Sequence, residues 1–265
     1  MFFATRDALS RSHVAWADID LERGVVLAAA DAPSLAPGPL GCFDDHGVYP
    51  SSVVEDEDRL LLFYVGWNPG KEPPLFYSSI GLATSVDGGV TFERMSTSPI
   101  LARSVHDPCL VTSPWVLREG PLWRMWYVSG FRWEKSRDGI HSWYHVKYAE
   151  SKDGRTWNRE GHVAIELAGA ERNIARPCVL ADERGYRMWY SHDAGGGYRI
   201  GYAESSDGYA WQRLDDRAGI ERSPSGWDSE AQAYPWVVRG SDRLYMLYNG
   251  NRYGADGFGL AERSS

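Results

Sequence analysis

An all-β fold made of repeated four-stranded units follows from three features of this sequence. The composition is rich in aromatic residues and glycine, an aromatic strand recurs at a near-constant period, and Asp-Gly turns fall at matching places within that period. The 265 residues include 12 Trp, 15 Tyr and 28 Gly, which favours pleated surfaces joined by tight turns. With 43% hydrophobic residues the chain is far from the composition of a disordered one. The net charge of -8 opposes a phosphate-backbone partner, so no nucleic acid is expected. The longest apolar run, Leu60 to Val65, falls well short of the roughly 18–20 residues of a membrane span, and the start Met1-Phe2-Phe3 lacks the pattern of a secretory signal. Three cysteines, an odd and low count, predict a reducing, cytoplasmic setting and no disulfide scaffold.

The aromatic strand appears as Leu61-Leu62-Phe63-Tyr64, Arg124-Met125-Trp126-Tyr127, Arg187-Met188-Trp189-Tyr190 and Tyr245-Met246-Leu247-Tyr248, with tyrosines spaced by 63, 63 and 58. Met1-Phe2-Phe3 is a fifth copy. A second strand follows each: Val14-Ala15-Trp16-Ala17, Ile80-Gly81-Leu82-Ala83, Val146-Lys147-Tyr148-Ala149, Ile200-Gly201-Tyr202-Ala203 and Phe258-Gly259-Leu260-Ala261. Turns at Asp87-Gly88, Asp153-Gly154 and Asp207-Gly208 then lead into a short edge strand, since glycine accepts positive φ and aspartate binds nearby amides.

A proline strand precedes the aromatic one, read at Tyr49-Pro50, Asp107-Pro108, Arg176-Pro177 and Tyr234-Pro235. Four strands per period of about 60 residues is the pattern of a β-propeller blade. The sequence therefore predicts a five-bladed β-propeller as one domain over 1–265, with blades at about 1–40, 41–100, 101–165, 166–222 and 223–265. No proline strand precedes Phe3. The N-terminal blade is expected to lack its innermost strand, leaving an open edge that a second copy of the chain could cover in a homo-oligomer.

Inner strands of a propeller meet at its axis, so the loops entering them are where chemistry is expected. Each of the four loops carries an acid: Asp44, Asp107, Glu171 and Glu230. Converging carboxylates are what glycosidic cleavage needs, one as acid and one as base or nucleophile. Asp45, His106, Arg176, Asp228 and Trp67 are the candidate substrate-binding residues beside them, with Arg176 suited to an anionic sugar or a phosphate. The seven histidines show no metal-ligand spacing, and neither a metal nor a cofactor is predicted. Cys109 and Cys178 each follow a strand proline and are predicted to be packed thiols.

The chain resembles the five-bladed propeller glycoside hydrolases, the group of families 43, 32, 68 and 130, and within it bacterial glycosidase-like proteins. The likeness is carried by Phe43-Asp44-Asp45-His46-Gly47, Ala175-Arg176-Pro177, Tyr186-Arg187-Met188-Trp189-Tyr190, Tyr198 to Ser205, and Trp227-Asp228-Ser229-Glu230, and it spans nearly the whole chain. It implies an enzyme cleaving a glycosidic bond in an oligosaccharide or small sugar conjugate, by water or by phosphate. Asp44 would then be the base, Asp107 the group that orients sugar hydroxyls, and Glu171 or Glu230 the acid. The family places acids at or two residues before the strand prolines, a pattern that only Asp107 fits. A non-catalytic glycan-binding or assembly propeller derived from such enzymes is the alternative.

Overall fold

The structure is a computed structural model and describes residues 1–264. It is all-β. The first repeat supplies β1 (Phe2–Arg6), β2 (Ser12–Asp20) and β3 (Val25–Ala29); the second β4 (Gly47–Asp56), β5 (Arg59–Pro69), β6 (Phe76–Ser85) and β7 (Glu93–Arg94). The third supplies β8 (Leu110–Glu119), β9 (Leu122–Ser136), β10 (Gly139–Ser151) and β11 (Trp157–Asn158), followed by β12 (Val163–Ile165). The fourth holds β13 (Asn173–Asp182), β14 (Gly185–Asp193), β15 (Arg199–Ser205) and β16 (Gln212–Arg213), and the fifth β17 (Ala233–Arg239), β18 (Arg243–Asn249) and β19 (Phe258–Ser264). Helical structure among the described residues is confined to single turns at Asp215–Arg217 and Asn251–Gly254. None of it is long and apolar enough to cross a membrane.

The chain packs as two compact units. One comprises residues 1–142 and 149–161, the other 143–148 and 162–265. In the first, the aromatic strand of the second repeat is central. β5 pairs antiparallel with β4 and β6 and buries Leu62, Phe63, Tyr64 and Val65 completely, which is why this run is apolar on both faces. Phe63 and Ile80 pack with Val111, Met125, Tyr127 and Trp157 in one apolar cluster. Val14, Val48, Leu62, Tyr64 and Phe92 form another. In the second unit, β14 sits between β13 and β15, and β18 between β17 and β19.

The Asp-Gly turns carry the geometry expected of them. Ser85 Oγ donates to Asp87 and accepts the amide of Gly89, while Thr91 donates its amide and hydroxyl to Asp87. The same serine two residues before the aspartate recurs as Ser151–Asp153 and as Ser205–Asp207. The Ser85 and Thr91 bonds hold the Asp87 carboxyl below the usual range, and the amides of Thr156 and Arg155, with Ser151, hold Asp153 at about 2.

Two sequence expectations are corrected. Pro108 lies outside the third repeat's inner strand, which begins at Leu110, and the proline of that strand is Pro114. A bulge places Ser113-Pro114 opposite Tyr127, just as Arg176-Pro177 faces Tyr190 and Tyr234-Pro235 faces Tyr248. Cys109 and Cys178 are therefore not equivalent. Cys178 is fully buried, its sulfur accepting the Val237 amide, whereas Cys109 is half-buried. At the N-terminus, β1 stands at the edge of its sheet, while residues 262–264 pair with β18.

Phe63 has no exposed surface and sits between Trp123 and Trp157. Phe63→Ala is expected to cost roughly 3–5 kcal/mol of stability, read as a lowered urea midpoint.

Candidate functional site

Three of the loop acids turn out to share one arrangement, fixed by spacing. Asp44, Asp107 and Asp228 each accept a hydrogen bond from the terminal tyrosine of their aromatic strand, always 20 residues further on. Tyr64 Oη lies 3.0 Å from Asp44, Tyr127 Oη 3.1 Å from Asp107, and Tyr248 Oη 3.1 Å from Asp228. In the second and third repeats an arginine after the Asp-Gly turn completes the group. Arg94 Nε lies 2.7 Å from Asp44, and Arg159 reaches Asp107 at 2.8 Å. Asp44 and Asp107 have no exposed surface and Asp228 2%. Tyr64 and Arg94 both meet Asp44 at Oδ2, leaving its buried Oδ1 without a hydrogen-bond partner among the described residues, whereas at Asp107 Tyr127 bonds both carboxylate oxygens and Arg159 bonds Oδ2. Burial first, and then the facing carboxylate, push the Tyr64 and Tyr127 hydroxyls well above their usual range, and Tyr248 to about 12. These tyrosines therefore remain donors.

Glycine makes room for the loop in two repeats. A Cβ at Gly66 would lie 2.6 Å from the Phe43 ring, and one at Gly250 2.3 Å from Trp227. Phe43 and Trp227, each just before its aspartate, stack on Tyr64 and Tyr248.

The fourth repeat departs from this pattern twice. Its tyrosine, Tyr190, donates to Asp215 and not to the loop acid. Arg213 bridges Asp215, at 2.6 Å, and Glu171, at 2.7 and 2.8 Å. At the position of Gly66 and Gly250 stands His192, two residues after the tyrosine, and its Nδ1 lies 2.7 Å from Glu171 Oε1. The Ala168 amide donates to Glu171 as well. Burial opposes ionisation of Glu171, but the bonds from Arg213, His192 and Ala168 outweigh it and hold the carboxyl well below the usual range. The donor atoms of Glu171, His192 and Asp215 lie within 4.8 Å of one another, close enough for a metal. The Arg213 guanidinium already bonds both carboxylates, so the arrangement does not fit a second cation.

At the same end of the second unit, four tyrosines meet. Tyr198 lies 5.9 Å from Tyr234 and 6.3 Å from Tyr253, and Tyr234 stacks on Tyr253 at 14°. Tyr144 and Tyr198 share a hydroxyl hydrogen bond. Tyr234 and Tyr253 both hold φ near +60°, and Tyr253 is 69% exposed. Such backbone costs about 1–3 kcal/mol per residue and concentrates where a side chain must be aimed.

Glu230 is exposed, and its amide donates to Asn251. Arg176 occupies the β13 bulge with φ of 54°. His106 is exposed beside Asp107, its amide bonded to Ser104. Asp45 accepts the Gly41 amide and the Asn68 side chain, in a shallow depression lined also by Phe43 and His46. Trp67 donates to Ser12 and packs against His46. Asp44 and Asp107 belong to the first unit and Glu171 and Glu230 to the second. Sequence reasoning missed His192, Asp215 and the tyrosine group. The first was open to detection as the one large residue at a position held elsewhere by Gly66, Ser129 and Gly250.

The fold is that of glycoside hydrolases. A solved structure described as "Glycoside hydrolase" superposes with a TM-score of 0.74 at 18% identity, covering 96% of this chain and 78% of that one. The Bombyx mori GH32 β-fructofuranosidase BmSUC1 gives 0.66 at 17%, over 95% of this chain and 53% of that one. No protein-family model matches the sequence. The chain belongs to the family of the Mycobacterium tuberculosis proteins named "Uncharacterized protein MT1551" and "Uncharacterized protein Rv1502". Each is 40% identical over 98% of this chain and 86% of its own length.

Removing one partner from a buried pair strands the other. Arg159→Met is expected to cost roughly 3–5 kcal/mol, and Tyr127→Phe about 1.5–3 kcal/mol, both measured by urea unfolding. Glu171 titrates lower in the folded chain than the ordinary value of about 4.3. Its stabilising contribution is thus complete above that pH and is lost as pH falls towards the folded value. The stability gap between wild type and Glu171→Gln should be widest at neutral pH and shrink below about pH 4.

Proposed function

We propose that this chain is a five-bladed propeller of the glycoside hydrolase type that takes a carbohydrate or small sugar conjugate at the tyrosine-rich end of its second unit. The observation that carries the reading is the stacked pair Tyr234 and Tyr253, one ring largely exposed and both on backbone with positive φ. An exposed aromatic face with a hydroxyl at its rim suits a sugar ring, which offers C–H groups to the face and hydroxyls to the edge. The five repeats support five blades, and the likeness to glycoside hydrolases supports a sugar as ligand.

In this reading Asp44, Asp107 and Asp228 close their blades and do not act on substrate, because tyrosine, arginine or glutamine side chains already occupy them. Glu171 serves as a permanent carboxylate and not as the acid. Glu230, exposed, is the carboxyl left open to protonate a leaving oxygen. The enclosure of three loop acids also favours a second reading, in which the chain binds a glycan without cleaving it.

A panel of nitrophenyl glycosides, sugar phosphates and oligosaccharides, assayed for both binding and cleavage, separates the two. The first reading expects a saccharide that is bound through Tyr253 and cleaved, with Glu230→Gln lowering turnover by about 10²–10⁴. Binding that Tyr253→Ala abolishes, without cleavage, supports the second. Binding that survives Tyr253→Ala and Tyr234→Ala, or no binding at all, overturns the site.

A further inference from the structure

We infer that His192 is the proton-accepting group of the second unit's site, with Glu171 as its positioning residue. Elsewhere one loop aspartate takes the strand tyrosine, so the loop acid cannot be spared. In the fourth repeat that duty has moved to Asp215, which receives Tyr190 and shares Arg213 with Glu171. Glu171 is thereby released from the tyrosine, and its Oε1 accepts from His192. The same repeat is the one that replaces a small residue with histidine. Two independent changes meeting at a single 2.7 Å contact is not what packing of the repeat requires, since the second and fifth repeats pack there with glycine.

The contact determines the chemistry of the ring. Glu171 is a carboxylate, so it accepts and His192 Nδ1 carries the proton. In the neutral ring the lone pair is then on Nε2, for which no hydrogen-bond partner exists among the described residues, on a side chain 18% exposed. A hydroxyl of a bound saccharide, or a water beside it, can give its proton to Nε2. The oxygen gains nucleophilic character, and the imidazolium formed is stabilised by the Glu171 carboxylate. Ser191, the neighbour of His192 in β14, accepts the Tyr234 amide, so the histidine shares that end of the strand with Tyr234 while its ring lies on the other face, beside Glu171 and Tyr190. The identity of the ligand as a sugar rests on the function proposed above; the state of the ring does not.

The test uses the full chain labelled with ¹⁵N in its histidines. Long-range ¹⁵N–¹H spectra of the neutral ring are expected to show His192 protonated on Nδ1 and bare on Nε2, and Glu171→Ala should lose that signature. A proton on Nε2 in the wild type overturns the inference. So does a Glu171→Ala spectrum unchanged from wild type. If Glu171→Ala does not fold, the wild-type spectrum still decides. Diethyl pyrocarbonate gives a second readout by peptide mass. His192 should be modified in the free protein, and a saccharide that binds through Tyr253 should protect it. A bound saccharide that leaves His192 fully reactive removes the histidine from the site without touching the proposed function. Failure of every saccharide to bind removes that function and leaves the ring assignment to the spectra. On any glycoside found to be cleaved, His192→Gln should lower kcat by about 10²–10⁴ with KM little changed; a changed KM alone would show a binding role only and sink the inference.

Discussion

One buried interaction recurs through the structure: a loop aspartate held by the tyrosine that ends the aromatic strand and, in two repeats, by an arginine beyond the Asp-Gly turn. It ties three separate parts of a repeat, the entry loop, the central strand and the outer strand. Backbone pairing alone lets strands slip by a residue, and the slip would turn every side chain to the opposite face. A carboxylate that must meet both a hydroxyl and a guanidinium tolerates no such slip. The net energy of a buried pair is modest, but breaking it is costly. In this chain its value lies in register.

The repeat was legible in the sequence because aromatic strands and Asp-Gly turns depend on local chemistry. Leu61 to Tyr64 and Ser85 to Gly88 announce themselves wherever they occur. The third inner strand was less so: Pro108 and Pro114 lie six residues apart, and only the bulge opposite Tyr127 distinguishes them. The loop acids were found but their partners were not. Asp44 and Arg94 are 50 residues apart and Asp107 and Arg159 are 52 apart, with variable loops between, so no short motif joins them. An acid before an inner strand reads the same way in sequence whether it faces a substrate or an arginine.

Within the second unit, the fourth repeat shows how a structural part becomes available for other work. Asp215 lies two residues from Arg213, near enough to hold it without the loop acid. Glu171 keeps its arginine but acquires His192. The longer side chain of glutamate matters, because it spans to both partners from a loop that the other repeats fill with aspartate.

The bulges of the inner strands have a wider consequence. Ser113, Arg176 and Tyr234 each stand before a proline with φ between 48° and 60°, and each faces the strand tyrosine. A bulge inserts a residue without disturbing the pairing on either side. Three such positions hold a small polar, a cationic and an aromatic group. A residue in a bulge leaves the two-residue alternation of its strand, so its side chain is chosen by what it meets locally and not by the inward and outward pattern of the sheet.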